Sequence, residues 1–208
     1  MRSIAILAGG RATRFEGRDK CALVVDSRTI LDRQLDELSS LTDDIMLVGE
    51  APGRARSLAQ APQARRREPS VRKTADIVPG CGPLGGLHAA LTAARGDFVF
   101  VVACDMPYVT AAFADHLFSL AGDAQIVVPR TERGYHPLCA VYARACLGLV
   151  ATRLANKQLA LRDLMNDVPV RVVTDNEIAR FGAASRLLAN VNTPAEYADL
   201  EALQGHKL

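Results

Sequence analysis

Unbroken apolar runs alternate along this chain with stretches where apolar residues recur every three or four positions. The runs "SIAILA" (3–8), "DIMLVG" (44–49), "DFVFVVACD" (97–105), "AQIVVP" (124–129), "PLCAVYA" (137–143) and "VRVVT" (170–174) are short and largely apolar, which predicts buried strands. Between the first two, "TILDRQLDELSSL" (29–41) gathers Ile30, Leu31, Leu35, Leu38 and Leu41 on one face, a helical period. Helices are likewise predicted over 84–95, 111–121, 146–155, 160–165 and 194–204. Segment 51–73 is rich in Ala, Pro and Arg, with seven basic residues and one acid, and reads as a loop with a short helix. Neither an internal repeat nor a clean linker interrupts the chain, so one domain over 1–208 is expected.

Strand–helix–strand alternation with strands this apolar predicts an α/β fold, an open and mostly parallel sheet covered on both faces. Ligands in such sheets bind outside the carboxyl ends of the strands. The residues that follow each strand are therefore where chemistry is expected. After the first run come Gly9 and Gly10; the run beginning at Asp97 ends on Asp105.

The first of these positions opens "LAGGRATRFEGRDK" (7–20), a long stretch with almost no apolar filler. Consecutive glycines free backbone N–H groups and let a phosphate come close. The pattern is not a Walker A loop, since Lys20 is followed by Cys21, and it is not Gly-x-Gly-x-x-Gly. A loop carrying Arg11, Arg14, Arg18 and Lys20 remains, either holding phosphate or presenting a solvated basic cluster, with phosphate favoured. Asp105 suits Mg²⁺, which is commonly held by one carboxylate plus substrate phosphates, or else it is a turn acid before Met106–Pro107. Paired with a phosphate loop after the first strand, the magnesium reading is the stronger.

In "DIVPGCGPLGGLHAAL" (76–91), Gly80, Gly82, Gly85 and Gly86 surround Pro83. They permit a tight turn into a helix and close approach by a flat ligand such as a nucleobase; a plain helix start could use the same residues. Asp76, just upstream, either contacts nucleotide or caps a turn. His136 opens a strand near the expected cleft, whereas His88 reads as a helix-surface or core residue. In "NVNTPAEY", Asn190 and Asn192 form a turn or supply oxygen ligands supporting a metal. No Gly-x-Ser-x-Gly elbow and no His/Cys pair with metal-ligand spacing occurs.

Composition narrows the classes further. A net charge of +2 argues against a dedicated nucleic-acid binder, although 21 of the 25 basic residues are Arg. The basic stretch 54–73 lacks interleaved aromatics for base stacking, which favours a solvated loop there. Five Cys, an odd number with no Cys-x-x-Cys pair, point to a reducing compartment rather than a disulfide framework. The longest apolar run is far short of a membrane span and the first residues do not form a signal peptide, so a soluble cytoplasmic protein is expected.

Taken in order, "LAGG…R…G…DK", "GPLGG", "ACDMP", "HP" and "NVNTP" resemble the molybdenum cofactor guanylyltransferases, within the Rossmann-like nucleotidyltransferases. The resemblance covers nearly the whole chain. It implies a three-layer α/β/α fold and transfer of GMP from GTP to molybdopterin or its molybdenum form, with release of pyrophosphate. It further implies that Leu7, Ala8, Gly9 and Gly10 hold nucleotide through backbone groups, that Lys20 binds phosphates, and that Asp76 contacts nucleotide; Arg14 is the candidate that offsets phosphate charge with Lys20, and Gly82 the glycine expected to let nucleotide approach. Asp105 would ligate Mg²⁺, and Asn190 and Asn192 would face the metal and pterin side. Proteins that deliver the cofactor or mature molybdoenzymes are the implied partners. The family often carries an Asn near the guanine after its second strand, where "LVGE" offers Val48 and Gly49. Three rivals stand beside this reading: the cytidylyltransferase of the same cofactor, a sugar-phosphate nucleotidyltransferase, and an inert nucleotide- or pterin-binding module.

Overall fold

The computed structural model describes residues 1–8, 23–49, 71–75, 77–78 and 80–191. Strand β1 (Arg2–Leu7) is followed by a small hairpin of β2 (Val24–Val25) and β3 (Arg28–Thr29), then α1 (Ile30–Leu38), β4 (Ile45–Val48) and β5 (Val71–Thr74). The chain continues through α2 (Gly82–Ala93), β6 (Phe98–Ala103), α3 (Ala111–Ser119), β7 (Ile126–Thr131), β8 (Gly134–Tyr135), β9 (Cys139–Ala143) and α4 (Leu147–Ala155). Last come β10 (Val170–Val173) and two short helices, α5 (Asp175–Ile178) and α6 (Ala184–Leu187). The predicted helix at 194–204 lies outside the described residues.

The main sheet runs β10-β7-β9-β6-β1-β4-β5, with β8 paired to β7. Every neighbour on that path is parallel except β9, which is antiparallel to both β6 and β7. Alternate residues of the strands face opposite layers, as the pleat requires. Ile4, Ile6, Ile45, Leu47, Phe100 and Val102 pack against α1 and α3, including Leu31, Leu35, Leu38, Phe113 and Leu117. Ala5, Leu7, Met46, Val48, Val99 and Val101 face α2 and α4, including Leu84, Leu87, Leu91, Val150 and Leu154. Three layers result, as the resemblance implied.

From β1 the chain moves outward to β4 and β5, then returns through α2 to β6 on the other flank of β1. The order therefore reverses between β1 and β6, and the carboxyl ends of those strands open the crevice in which an open α/β sheet binds ligand.

The structure corrects the expected elements in several places. The sequence predicts loop through residue 73, but Val71–Thr74 form the edge strand β5, paired with β4. Its polar residues hide a strand that a distant ion pair secures. Arg72 donates to Asp44 Oδ1 from Nε at 3.1 Å and from Nη2 at 2.5 Å. Asp44, 2% exposed, also accepts from Ser3 Oγ at 2.5 Å and the Arg95 N–H at 3.0 Å. Burial pushes its carboxyl up, yet the bonds from Ser3, Arg95 and Arg72 outweigh this and hold it below the ordinary range. The strand expected through Asp105 stops at Ala103, leaving Cys104 and Asp105 in the following turn. The strand expected from 124 starts at Ile126 and runs to Thr131, and the one expected from 137 starts at Cys139. The helix expected over 160–165 is a 3₁₀ helix, Leu161–Asn166.

Helix α1 starts where Thr29 accepts the Asp32 N–H at 3.1 Å, a side-chain N-cap. Cys104, Cys139 and Cys146 are buried in the core, where cysteine packs as a small apolar side chain. Among the described residues no helix is long and apolar enough to cross a membrane.

Candidate active site

The β1–β6 crevice is built from residues whose backbones interlock. Leu7 stands opposite Ala103 in the parallel ladder, and the Cys104 N–H donates to the Leu7 carbonyl at 3.0 Å. Ala8 extends β1 one residue further by donating to the Val48 carbonyl at 2.8 Å. On the far flank of β6, the Ala103 N–H donates to the Leu138 carbonyl at 2.9 Å, which brings the start of β9 to the same edge. The structure thus places Leu7, Ala8 and Asp105 together, with Ala8 and the two residues before Asp105 buried and Asp105 itself half-buried at the rim. Gly9, Gly10, Arg14 and Lys20, which continue from Ala8, lie outside the described residues, as do Asp76 and Asn192.

Helix α2 brings a different kind of group to this edge. It follows β5 and leads back to the start of β6, so its N-terminus stands at the carboxyl rim of the sheet. Pro83 occupies the first turn, no acid lies there, and no side chain caps it. Its first N–H groups and positive dipole end therefore favour an anion. The glycines of this region divide into two jobs. Gly86 packs on β1, where a Cβ would stand 3.3 Å from Leu7 Cδ1, and at Gly85 one would stand 3.0 Å from the Val78 carbonyl. Those two serve close packing rather than a ligand. Gly82 has φ +60°, and a Cβ there would meet none of the described residues within 4 Å, so it supplies the turn into the helix.

Asp105 sits in a turn held from three directions. The Val191 N–H donates to the Asp105 carbonyl at 2.9 Å, which ties the exposed Asn190 beside the turn. Val191 is itself anchored in a small cluster with Val25, Ile30 and Tyr108. From α1, Arg33 Nε donates to the Pro107 carbonyl at 3.2 Å, and Gln34 Nε2 donates to the carbonyls of Ala103 at 2.8 Å and Met106 at 3.0 Å. Neither Arg33 nor Gln34 stands out as a site residue in the sequence. The available signal is a polar residue at 34 between Leu31, Leu35 and Leu38, inside the apolar stripe of the helix.

His136 precedes β9, and its Nε2 lies 2.9 Å from Thr131 Oγ1. Burial lowers its basicity, with Asp175 opposing that shift and Arg133 adding to it. The neutral form is therefore favoured near neutral pH. Beyond it, at the carboxyl ends of β7 and β10, Arg130, Thr131, Glu132, Thr174, Asp175 and Asn176 line a cavity of about 380 Å³. After β4, Gly49 adopts φ +104°, a backbone conformation unsuited to other residues, and its N–H donates to the Thr74 carbonyl at 3.0 Å.

Residues 4–176 match the MobA-like NTP transferase domain, a span that takes in both strands of the crevice and the Asp105 turn. The chain belongs to that family. As a MobA-like NTP transferase it is a nucleotidyltransferase. It is 31% identical over 198 residues to the molybdenum cofactor guanylyltransferase of Desulfosudis oleivorans, covering 95% of this chain and 93% of that one. It is 33% identical over 208 residues to a probable molybdenum cofactor guanylyltransferase of Methanosarcina acetivorans, covering 98% and 90%. The crystal structure of molybdopterin-guanine dinucleotide biosynthesis protein A from Archaeoglobus fulgidus superimposes with a TM-score of 0.78 at 22% identity, covering 99% of both chains. That last likeness is one of fold.

Asp105 is an oxygen donor of the kind that suits a hard cation such as Mg²⁺. No group of three or more His, Cys, Asp or Glu side chains gathers among the described residues. The Asp105 carboxylate and the anion-favouring start of α2 share one rim, a donor set compatible with a cation held jointly with phosphates.

Proposed function

We propose that this chain transfers GMP from GTP to the terminal phosphate of molybdopterin or its molybdenum form. The observation that carries the reading is the convergence at one switch point of the end of β1, the uncapped start of α2 and Asp105. The names of the two relatives, both guanylyltransferases of the molybdenum cofactor, support the choice of substrates.

An oxygen of the acceptor's phosphate monoester forms a bond to the α-phosphorus of GTP. The bond from that phosphorus to the oxygen bridging toward the β-phosphate breaks, and pyrophosphate leaves with the electron pair. The attacking oxygen is already anionic near neutral pH, so no general base is required, and His136 need not act as one. The protein's task is to align two polyanions and offset their charge. In this reading the amides of Gly9 and Gly10 and the start of α2 cradle phosphates, while backbone groups of Leu7 and Ala8, together with Gly82 and Asp76, border the nucleotide. Arg14 and Lys20 balance charge that gathers on the leaving pyrophosphate. Asp105 would hold Mg²⁺, which would supply positive charge to offset that of the phosphates. Asn190 and Asn192 would face the metal and the acceptor.

Gly49 lacks the side chain that the resemblance places near guanine, so base choice is the part of the reading to test first. With Mg²⁺ present, GTP is expected to raise the melting temperature more than CTP, and GTP with molybdopterin is expected to yield pyrophosphate. Stabilisation by CTP but not GTP would replace the guanylyl assignment with a cytidylyl one. Nucleotide binding with no pyrophosphate formed would identify an inert binding module instead.

A further inference from the structure

Gln34 interrupts the apolar face of α1. Leu31, Leu35 and Leu38 share that face, and Gln34 among them is only 1% exposed. Burying an amide is unfavourable unless its polar atoms are bonded. Both partners of its Nε2 are carbonyl oxygens, those of Ala103 and Met106, so the nitrogen must face the turn and the orientation of the amide is fixed. Oε1 is then left buried with no donor among the described residues. An apolar side chain of similar volume would fill this place without that orphan oxygen. Packing alone does not ask for glutamine here; the two carbonyls do.

Those carbonyls bracket Asp105. The turn's own closing bond, from the Met106 N–H to the Ala103 carbonyl, is long at 3.3 Å. Gln34 bridges the same two residues from outside with shorter bonds, and is the one side chain among the described residues hydrogen-bonded to both ends of the turn. Arg33 and Val191 each hold a single point, at Pro107 and Asp105 respectively.

We propose that Gln34 is a positioning residue for Asp105, its amide clamping the Ala103–Met106 turn so that the carboxylate meets metal and nucleotide phosphates in a preset place. The inference rests on the reading of Asp105 as the magnesium ligand. Residues that orient a metal ligand from behind typically contribute about 10–100-fold to metal affinity or activity.

The test compares wild type with Gln34→Met, which keeps length and volume and removes the donor. Mn²⁺ affinity in the presence of GTP, followed by the EPR signal of free Mn²⁺, is the main readout. GTP affinity without metal and the melting temperature are measured alongside. Leu38→Ala, a core variant of the same helix outside the turn's hydrogen bonds, controls for simple loss of stability. Gln34→Met is expected to bind Mn²⁺ about tenfold more weakly and to lower kcat more than it raises the KM for GTP. Metal-free GTP binding should be unchanged, and Leu38→Ala should retain wild-type Mn²⁺ affinity. If Gln34→Met does not fold, Gln34→Leu, smaller and likewise without a donor, takes its place with the same expectation. Wild-type Mn²⁺ affinity in the folded variant, or an equal loss in Leu38→Ala, would overturn the positioning role while leaving Asp105 as the ligand. Absence of GTP-dependent Mn²⁺ binding in wild type itself would overturn the metal reading and this inference with it.

Discussion

Asp44→Asn tests how far one buried carboxylate holds the sheet together. Two donors, Ser3 Oγ and the Arg95 N–H, converge on Oδ2, and two from Arg72 converge on Oδ1. The Gly96 N–H also donates to Ser3 Oγ at 2.8 Å, so the network joins the starts of β1, β4 and β6 to the edge strand β5. Asparagine keeps one oxygen and turns an NH₂ toward the other pair of donors, so at least two bonds and the charge are lost. Hydrogen bonds to a charged group are worth about 1.5–3 kcal/mol each. The Arg72 side chain is 29% exposed and water screens part of its share. The expected loss is therefore about 3 kcal/mol, toward the lower end of what breaking a buried ion pair usually costs. In a chain of this size that corresponds to a fall of about 6–12 °C in Tm.

Urea unfolding followed by far-UV circular dichroism, for wild type and variant across a pH series, measures this difference. The folded-state pKa of Asp44 is lowered from its ordinary 3.8. Its contribution is thus fully present above that value and is lost as pH falls through the folded pKa. The gap between wild type and variant should stay constant from neutral pH down to about pH 4 and shrink below it. A gap under about 1 kcal/mol near neutral pH, the size of an ordinary substitution, would refute the reasoning, as would a gap that widened in acid. The network lies at the end of the sheet opposite the site, so folded Asp44→Asn protein should keep its nucleotidyl transfer.

Lys20→Ala and Asp105→Asn should each melt close to wild type yet lose about 10²–10³ in turnover, the usual effect of removing one preorganised charge-stabilising group; full activity in either, by pyrophosphate release, would remove that residue from the mechanism. Gly49→Ala forces a side chain onto φ +104° and should destabilise by about 1–3 kcal/mol, read as a lower urea midpoint with an unchanged slope. GTP is expected to protect against thermal unfolding more than CTP when Mg²⁺ is present, and the opposite order would reassign the base.

By itself the sequence determined the layers and the edge at which chemistry is expected. Apolar runs and helical stripes are local patterns, and they foretold β1, β4, β6, α1 and α3 together with Asp105 just past a strand end. They did so because burial on two faces, or on one, is written residue by residue. Only the tertiary structure decided the reversal of β9, the strand at Val71–Thr74, the packing role of Gly85 and Gly86, and the clamp on the Asp105 turn. Most of these depend on a partner remote in sequence: Arg72 finds Asp44 28 positions away, and Gln34 finds Ala103 69 positions away. A polar residue in an amphipathic pattern does not disclose which distant backbone it will meet, and that meeting is what turns Gln34 from a blemish in a helix into a support for the site.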